Sequence, residues 1–379
     1  QPMKAIRTLL ATSLAAWLAC AAHADINVGV ILPLTGPTSA LGIASKNSIA
    51  LWPTSIAGQK LNIIMMDDAT DPTQASKDAR RMVSEDHVDI LLGSSSTPTA
   101  NAVAAIAAES GTVQLTFAPI DVSTAKSPWS YNLPQSTLVM SHALVAHMKK
   151  NGVKTVGFLG YADAFGELFL RDMKAKMAGT DLKFISEERF ARTDTSVTAQ
   201  ALKVTAGNPD AILIVASGSG AAMPHKALIE RGYKGKIYQT HGAAARDLMR
   251  VGGKDVEGGY VVAGPGMVAE QLPPTHPSKA VALAHVQAWE KVYGPNSRNT
   301  HAGHAYDASV VLQKIVPVAL KTAQPGTKEF RGAIKAALEN AGPIALFHGT
   351  VNYTATDHAG YTDDTGVIMR ITNGDWKLQ

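Results

Sequence analysis

Along most of the chain, short apolar runs alternate with segments in which apolar residues recur every three or four positions. The runs have the length of buried parallel strands and predict strands at residues 26–32, 61–66, 88–92, 113–116, 155–159, 211–216 and 260–263. The intervening segments predict helices at residues 73–86, 98–109, 138–150, 165–177, 197–207 and 221–231. This alternation indicates βαβ units, and so many strands favour an α/β protein with two doubly wound parallel sheets.

The pattern changes after Pro273 and Pro274. Three long helices are predicted in succession, at residues 277–293, 304–322 and 327–340. The C-terminal part then returns to strands, at residues 349–353 and 366–372, with a tight turn at Asn373 and Gly374. The last third of the chain is therefore expected to add helices and a terminal hairpin to the two sheets.

Composition narrows the class of protein. The chain has 379 residues, 46% of them hydrophobic, which is enough for two domains with substantial cores. The formal net charge is only +4 and no basic run occurs, so we expect no nucleic-acid partner. Cys20 is the single cysteine, which excludes an internal disulfide and a multi-cysteine metal site. We expect neither a cofactor nor a metal.

The N-terminal segment has the features of a secretory signal peptide. Lys4 and Arg7 precede an apolar run at residues 9–19, and Ala22-His23-Ala24 provides a cleavage site. We therefore predict a signal peptide over residues 1–24 and a periplasmic location for the mature chain. Cys20 allows an alternative, a lipoprotein anchor, although Trp17 fits that type of signal poorly.

A cluster of hydroxyl side chains follows the predicted strand 88–92. Residues 93–98 read Gly-Ser-Ser-Ser-Thr-Pro and lead directly into a predicted helix. Hydroxyls and free backbone N–H groups at a helix start suit an anion such as a carboxylate. The alternative is that Ser96 or Thr97 only caps the helix ahead of Pro98. Both interpretations can hold, because capping uses one hydroxyl and leaves the others.

Several motifs, in order along the chain, resemble those of periplasmic branched-chain amino-acid binding proteins, the receptors of ABC importers with the type I periplasmic-binding-protein fold. The motifs lie at residues 26–37, 67–72, 93–97, 160–166, 304–308 and 373–377. The resemblance implies two lobes joined by three crossover strands, with the ligand held between them, and no enzymatic activity. Carried onto this chain, lobe 1 comprises residues 25–135 and 270–346, and lobe 2 comprises residues 136–269 and 347–379.

The same resemblance implies a set of ligand-binding residues. In those relatives the serine-rich segment and a second loop hold the ligand carboxylate, and a threonine of that loop is Ile120 here. A glutamate that pairs with the ligand ammonium aligns with His241, and pocket tyrosines align with Leu41, Phe165 and Ser217. The expected ligand-binding residues are Leu41, Ser94, Ser95, Ser96, Thr97, Ala118, Pro119, Ile120, Gln135, Phe165, Ser217, His241 and His301.

The replacement at His241 changes the expected ligand. An α-ammonium in a dry cleft needs a carboxylate partner, because a buried unpaired charge is costly. We therefore predict a monomeric receptor for a small aromatic carboxylate, either benzoate-like, hydroxybenzoate-like or an aryl 2-oxo acid, which it delivers to an ABC permease. The alternatives are a receptor for branched-chain or other amino acids or amides, and a periplasmic hydrolase that uses one of the hydroxyls of residues 94–96 with His241.

Overall fold

The computed structural model describes residues 24–379, so the predicted signal peptide up to His23, including Cys20, lies outside the described residues. Within them the first half of the chain builds a six-stranded sheet in the order β2-β3-β1-β4-β5-β6, parallel except for β2. Its strands are β1 (Ile26–Leu32), β2 (Ser55–Ile56), β3 (Gln59–Asp67), β4 (Ile90–Gly93), β5 (Gln114–Thr116) and β6 (Ser130–Asn132). The helices of this half are α1 (Ser39–Ile49), α2 (Pro72–Ser84) and α3 (Thr97–Ser110).

The second half builds a parallel sheet with a C-terminal antiparallel hairpin. Its parallel strands are β7 (Thr155–Tyr161), β8 (Lys183–Phe190), β9 (Ala211–Val215), β10 (Lys236–Gln239) and β11 (Tyr260–Ala263). The strands β12 (Ile344–Leu346) and β13 (Gly349–Val351) pair separately, and β14 (Val367–Thr372) and β15 (Asp375–Leu378) complete the order β15-β14-β11-β10-β9-β7-β8. Two parallel sheets confirm the predicted α/β class.

The helices of the second half cover its sheet and return to the first. They are α4 (Thr137–Lys150), α5 (Ala164–Met177), α6 (Thr198–Thr205), α7 (Ala222–Glu230), α8 (Arg246–Gly252), α9 (Lys279–Tyr293), α10 (Thr300–Ala319) and α11 (Lys328–Glu339). Helix α10 begins four residues before its predicted start, because the Asn299 side chain accepts the backbone N–H of His301 at 2.8 Å. This cap fixes His301 in the first turn of the helix.

Each sheet has its own hydrophobic core. In the first core, β1 contributes Val28 and Val30, which pack with Val311 of α10 and Phe330 of α11. In the second, Phe158 of β7 packs in a cluster that also holds residues of α5, α9 and the terminal hairpin. Val351 and Tyr353, beyond β12, belong to the first core. The exact lobe boundaries stay a prediction.

The chain segments that connect the two sheets are bonded side by side. The Gln135 side chain donates to the carbonyl groups of His348 and Thr365, at 2.9 and 3.1 Å. The Tyr353 hydroxyl donates to the carbonyl of Asn132 at 2.6 Å, and the Tyr361 hydroxyl donates to that of Leu133 at the same distance. These bonds tie the segment after β6 to the segments around β13. Among the described helices, none combines the length and apolar character that crossing a bilayer requires.

Candidate functional site

A cavity lies where the carboxyl ends of the parallel strands of both sheets meet, the usual ligand position in open α/β sheets. The segments after β1, β4 and β5 contribute Leu41, Ser95, Ser96, Thr97, Phe117, Ala118 and Pro119. The segments after β7, β8, β9 and β10 contribute Phe165, Arg192, Ser217, His241 and Gly242, and α10 adds His301.

Most of the residues predicted from the sequence come together at this cavity. Those that line it are Leu41, Ser95, Ser96, Thr97, Ala118, Pro119, Phe165, Ser217, His241 and His301. Ser94, Ile120 and Gln135 do not line it, and each has other partners that explain its position. The lining residues come from segments that are distributed between Leu41 and His301, and the fold brings these segments together.

Ser94 supports the turn after β4 and does not face the cavity. Its hydroxyl donates to a carboxylate oxygen of Asp68 at 2.5 Å and accepts the backbone N–H of Ser95 at 2.7 Å. Burial raises the pKa of Asp68 to about 6. The preceding Gly93 has φ +98°, and a Cβ there would lie 2.1 Å from the carbonyl oxygen of Ile31. Glycine is therefore required for the turn, and the Ser94 hydroxyl is fully engaged in holding it.

Ile120 and Gln135 are held away from the cavity by backbone contacts. The Asn132 side chain accepts the N–H of Ile120 at 3.3 Å and donates to its carbonyl at 3.0 Å. Ile120 consequently lines a neighbouring cavity, together with Asp121 and His358. The amide of Gln135 is bonded to the connecting segments, as described above. Neither residue is among those that line the first cavity.

The remaining hydroxyls at the start of α3 differ in their availability. Ser96 occupies the N-cap position, but its hydroxyl pairs with that of Thr99 at 2.6 Å and makes no bond to a helix N–H. The Thr97 hydroxyl donates to the carbonyl of Pro119 at 2.9 Å. The Ser95 hydroxyl is buried and has no hydrogen-bond partner among the described residues. Ser95 and the free N–H groups at the helix start are therefore available to an anion.

The two lining histidines are neutral. Burial lowers the pKa of His241 well below its usual value and that of His301 to about 4. Nε2 of His301 lies 3.3 Å from the carbonyl oxygen of Gly242, which can only accept, so this nitrogen carries the proton. The ring of His241 meets that of Phe165 edge-on, with 6.0 Å between centroids. Both histidines can take part in hydrogen bonds without adding a charge to the cavity.

Sequence reasoning missed three lining residues, Phe117, Arg192 and Gly242, of which Arg192 is the charged one. It follows β8, which was not predicted because Lys183–Phe190 is rich in charges and mostly half-exposed, as is typical of an edge strand. Its guanidinium lies 4.1 Å from the centre of the Tyr161 ring, donates from Nε to Asp163 at 2.6 Å and from Nη1 to the Ser217 hydroxyl at 3.1 Å. The convergence of parallel strand ends would have placed Arg192 here, had β8 been recognised.

The charge of the lining has one sign. Arg192 is a cation, and none of the described residues that line the cavity is an aspartate or a glutamate. Nor does any group of three or more His, Cys, Asp and Glu side chains in residues 24–379 have an arrangement that could hold a metal ion. The Ser94 hydroxyl, bonded to Asp68, is not activated by a histidine. Among the described residues that line the cavity, the charged side chain is therefore a cation, and the Ser94 hydroxyl has no histidine as its base.

Comparison with known proteins identifies the family of the chain. The sequence profile of the periplasmic binding protein family matches residues 25–375. An extracellular ligand-binding receptor from Rhodopseudomonas palustris is 44% identical, with a TM-score of 0.92, and the alignment covers 94% of this chain and 99% of that one. A Leu/Ile/Val-binding protein from Rhizobium johnstonii is 36% identical over 119 residues, which are 29% of this chain and 32% of that protein.

A more distant structure shares the fold. A solute-binding protein of an ABC transporter from R. palustris, solved in complex with benzoate, is 18% identical with a TM-score of 0.79, over 94% of this chain and 95% of that one. The family match extends over nearly all described residues, including every strand of both sheets up to the start of β15. The chain therefore belongs to the periplasmic binding protein family, as a solute-binding receptor and not an enzyme.

Proposed function

We propose that this receptor captures a small aromatic carboxylate between its two lobes and delivers it to an ABC permease. The observation that carries the proposal is the lining of the cavity, which offers hydrogen-bond donors to an anion and, among the described residues, no carboxylate for an ammonium group. An α-amino acid enclosed there would leave its ammonium buried and unpaired, at a cost of several kcal/mol. A carboxylate without an amine has no such cost.

The polar end of the ligand has partners at the start of α3. The Ser95 hydroxyl is buried and unpartnered, and the first N–H groups of α3 lack helical acceptors. Helix α3 extends over 14 residues, so its aligned peptide dipoles favour a negative group at this end. A ligand carboxylate placed here would use donors that otherwise stay buried without partners.

The body of the ligand has apolar partners. Leu41, Phe117 and Phe165 line the cavity, and Phe165 is held by an edge-to-face contact with Phe169 at 5.9 Å. Such rings favour edge or face contacts with an aromatic ligand. The benzoate complex of the R. palustris protein supports the proposal, since it places an aromatic acid in a protein of this fold.

A second candidate function is binding of a branched-chain amino acid. It is favoured by the match to the Leu/Ile/Val-binding protein of R. johnstonii. The two functions differ at His241, because a neutral imidazole cannot neutralise an ammonium group as a carboxylate does. The two ligand classes can therefore be compared directly on one protein.

A thermal-shift screen distinguishes them. Benzoate, 4-hydroxybenzoate and phenylpyruvate form one set, and leucine, isoleucine and valine form the other. A ligand present at about 100 times its dissociation constant stabilises the folded state by about 2.7 kcal/mol. We expect at least one member of the first set to raise the melting temperature and the second set to leave it unchanged. Stabilisation by the amino acids alone would refute the aromatic-acid proposal.

A further inference from the structure

We propose that Arg192 selects for the negative charge of the ligand. It lies on the side of the second sheet and binds the same ligand carboxylate that Ser95 and the start of α3 bind on the side of the first sheet. This inference rests on the proposed function. It adds an explanation of how the receptor distinguishes an acid from a neutral molecule of the same shape. Hydroxyls and backbone N–H groups donate hydrogen bonds to any acceptor oxygen, charged or not. A guanidinium adds a full positive charge, which interacts strongly only with an anion.

The position of Arg192 is fixed before a ligand arrives. Three contacts hold it: the ring of Tyr161 at 4.1 Å, the carboxylate of Asp163 at 2.6 Å and the hydroxyl of Ser217 at 3.1 Å. Its side chain is only 12% exposed. A guanidinium has five N–H donors, and these contacts use Nε and Nη1. Nη2 has no partner among the described residues, so it can donate to a ligand without breaking an existing bond.

Asp163 does not cancel the charge of Arg192 completely. One of its carboxylate oxygens accepts the backbone N–H groups of Phe165 and Gly166, at 2.9 and 3.2 Å, and thereby caps α5. The other oxygen accepts from Nε of Arg192. The carboxylate is thus shared between a helix start and the guanidinium, both of which are positive. Asp163 is a positioning residue that aims Arg192 and leaves the cavity side of this cluster electropositive.

The two groups of residues that would bind the ligand carboxylate follow strands of different sheets. Ser95 and Thr97 follow β4 of the first sheet, whereas Arg192 follows β8 and Ser217 follows β9 of the second. Both groups line one cavity. A single carboxylate that contacts both groups would favour the closed arrangement, because only this arrangement completes its hydrogen bonds.

The test is charge discrimination, measured by calorimetry on wild type, Arg192→Gln and Arg189→Gln. Arg189 is a matched control on the same strand end, where its side chain pairs with Glu167 and is 35% exposed. The probes are acid and amide pairs: benzoate with benzamide, 4-hydroxybenzoate with its amide, and butyrate with butyramide. We expect Arg192→Gln to weaken binding of the preferred acid by about 10–100-fold while changing the amide by less than about threefold. Arg189→Gln should behave as wild type.

The outcomes separate the two proposals. If Arg192→Gln folds, shown by an unchanged circular dichroism spectrum, and keeps the wild-type preference for acid over amide, the role of Arg192 is refuted while the proposed function stands. If wild type prefers butyrate to its amide through Arg192 and binds neither aromatic acid, the aromatic proposal fails and the role of Arg192 stands. If wild type binds none of the acids, both are refuted. Arg192→Lys, which keeps the charge, should retain part of the preference for acids.

Discussion

Replacement of the neighbouring serines Ser94 and Ser95 by alanine should have opposite effects on stability and ligand affinity. Ser94 holds two buried groups, the carboxylate of Asp68 and the N–H of Ser95. Ser95 has a buried hydroxyl without a partner among the described residues. Ser94→Ala should therefore mainly reduce the stability of the fold, and Ser95→Ala should mainly reduce ligand affinity.

The magnitudes follow from the bonds involved. Ser94→Ala removes a hydrogen bond to a carboxylate, worth about 1.5–3 kcal/mol, and leaves a buried N–H unsatisfied at about 1 kcal/mol or more. The free energy of unfolding should fall by about 2–4 kcal/mol. Ser95→Ala removes no bond within the protein, so its stability should change by less than about 1 kcal/mol. If the Ser95 hydroxyl donates to the ligand carboxylate, its loss should weaken binding by about 10–100-fold.

Urea unfolding followed by circular dichroism gives the stabilities, and calorimetric titration with the preferred acid gives the affinities. Both variants remove one hydroxyl group and leave a methyl side chain, at adjacent positions, so each serves as the control for the other. The assignment of the two serines would be refuted if Ser95→Ala destabilised the fold while leaving affinity unchanged. It would equally be refuted if Ser94→Ala lowered affinity without affecting stability.

Two further predictions concern histidines. His241→Ala should weaken binding of the preferred acid by more than about tenfold, and an unchanged calorimetric affinity would remove His241 from the site. Burial lowers the pKa of His225 from 6.5 to about 4, so below pH 6.5 the unfolded chain binds a proton that the folded chain does not, and stability falls. Between about pH 7.5 and pH 5 the free energy of unfolding, measured in urea, should therefore fall by about 2 kcal/mol less in His225→Gln than in wild type. An equal fall in both proteins would contradict this.

The parts of the fold that follow from hydrophobic patterning could be predicted from the sequence. Strands such as β1 and β9 are almost entirely buried, so their apolar runs stand out. Strand β8 is an edge strand whose positions are mostly half-buried and which carries several charges, and it could not be recognised by the same criterion. Because β8 was missed, so was Arg192, which comes two residues after it.

The sequence predicts the region of the candidate site, but it does not predict the contacts that each side chain makes there. The rule that strand ends bind ligands pointed to the serine cluster around Ser95, and the family resemblance added Phe165 and His241, which line the same cavity. The sequence could not show that the Ser94 hydroxyl is taken by Asp68, a residue 26 positions earlier. Nor could it show that Asn132 holds the backbone of Ile120 away from the cavity. Such assignments depend on side-chain contacts between distant segments, which local patterns do not encode.

The central claim is that the cavity accepts a carboxylate without an accompanying ammonium group. Calorimetric titration with matched pairs tests it most directly: phenylpyruvate against phenylalanine, and 4-methyl-2-oxopentanoate against leucine. Within each pair the carbon skeleton is the same, and an oxo group replaces the ammonium. We predict that the tighter-binding oxo acid binds with an affinity at least about 100-fold higher than that of its matching amino acid, since an unpaired buried ammonium costs several kcal/mol. Equal or tighter binding of the amino acid in both pairs would contradict the account.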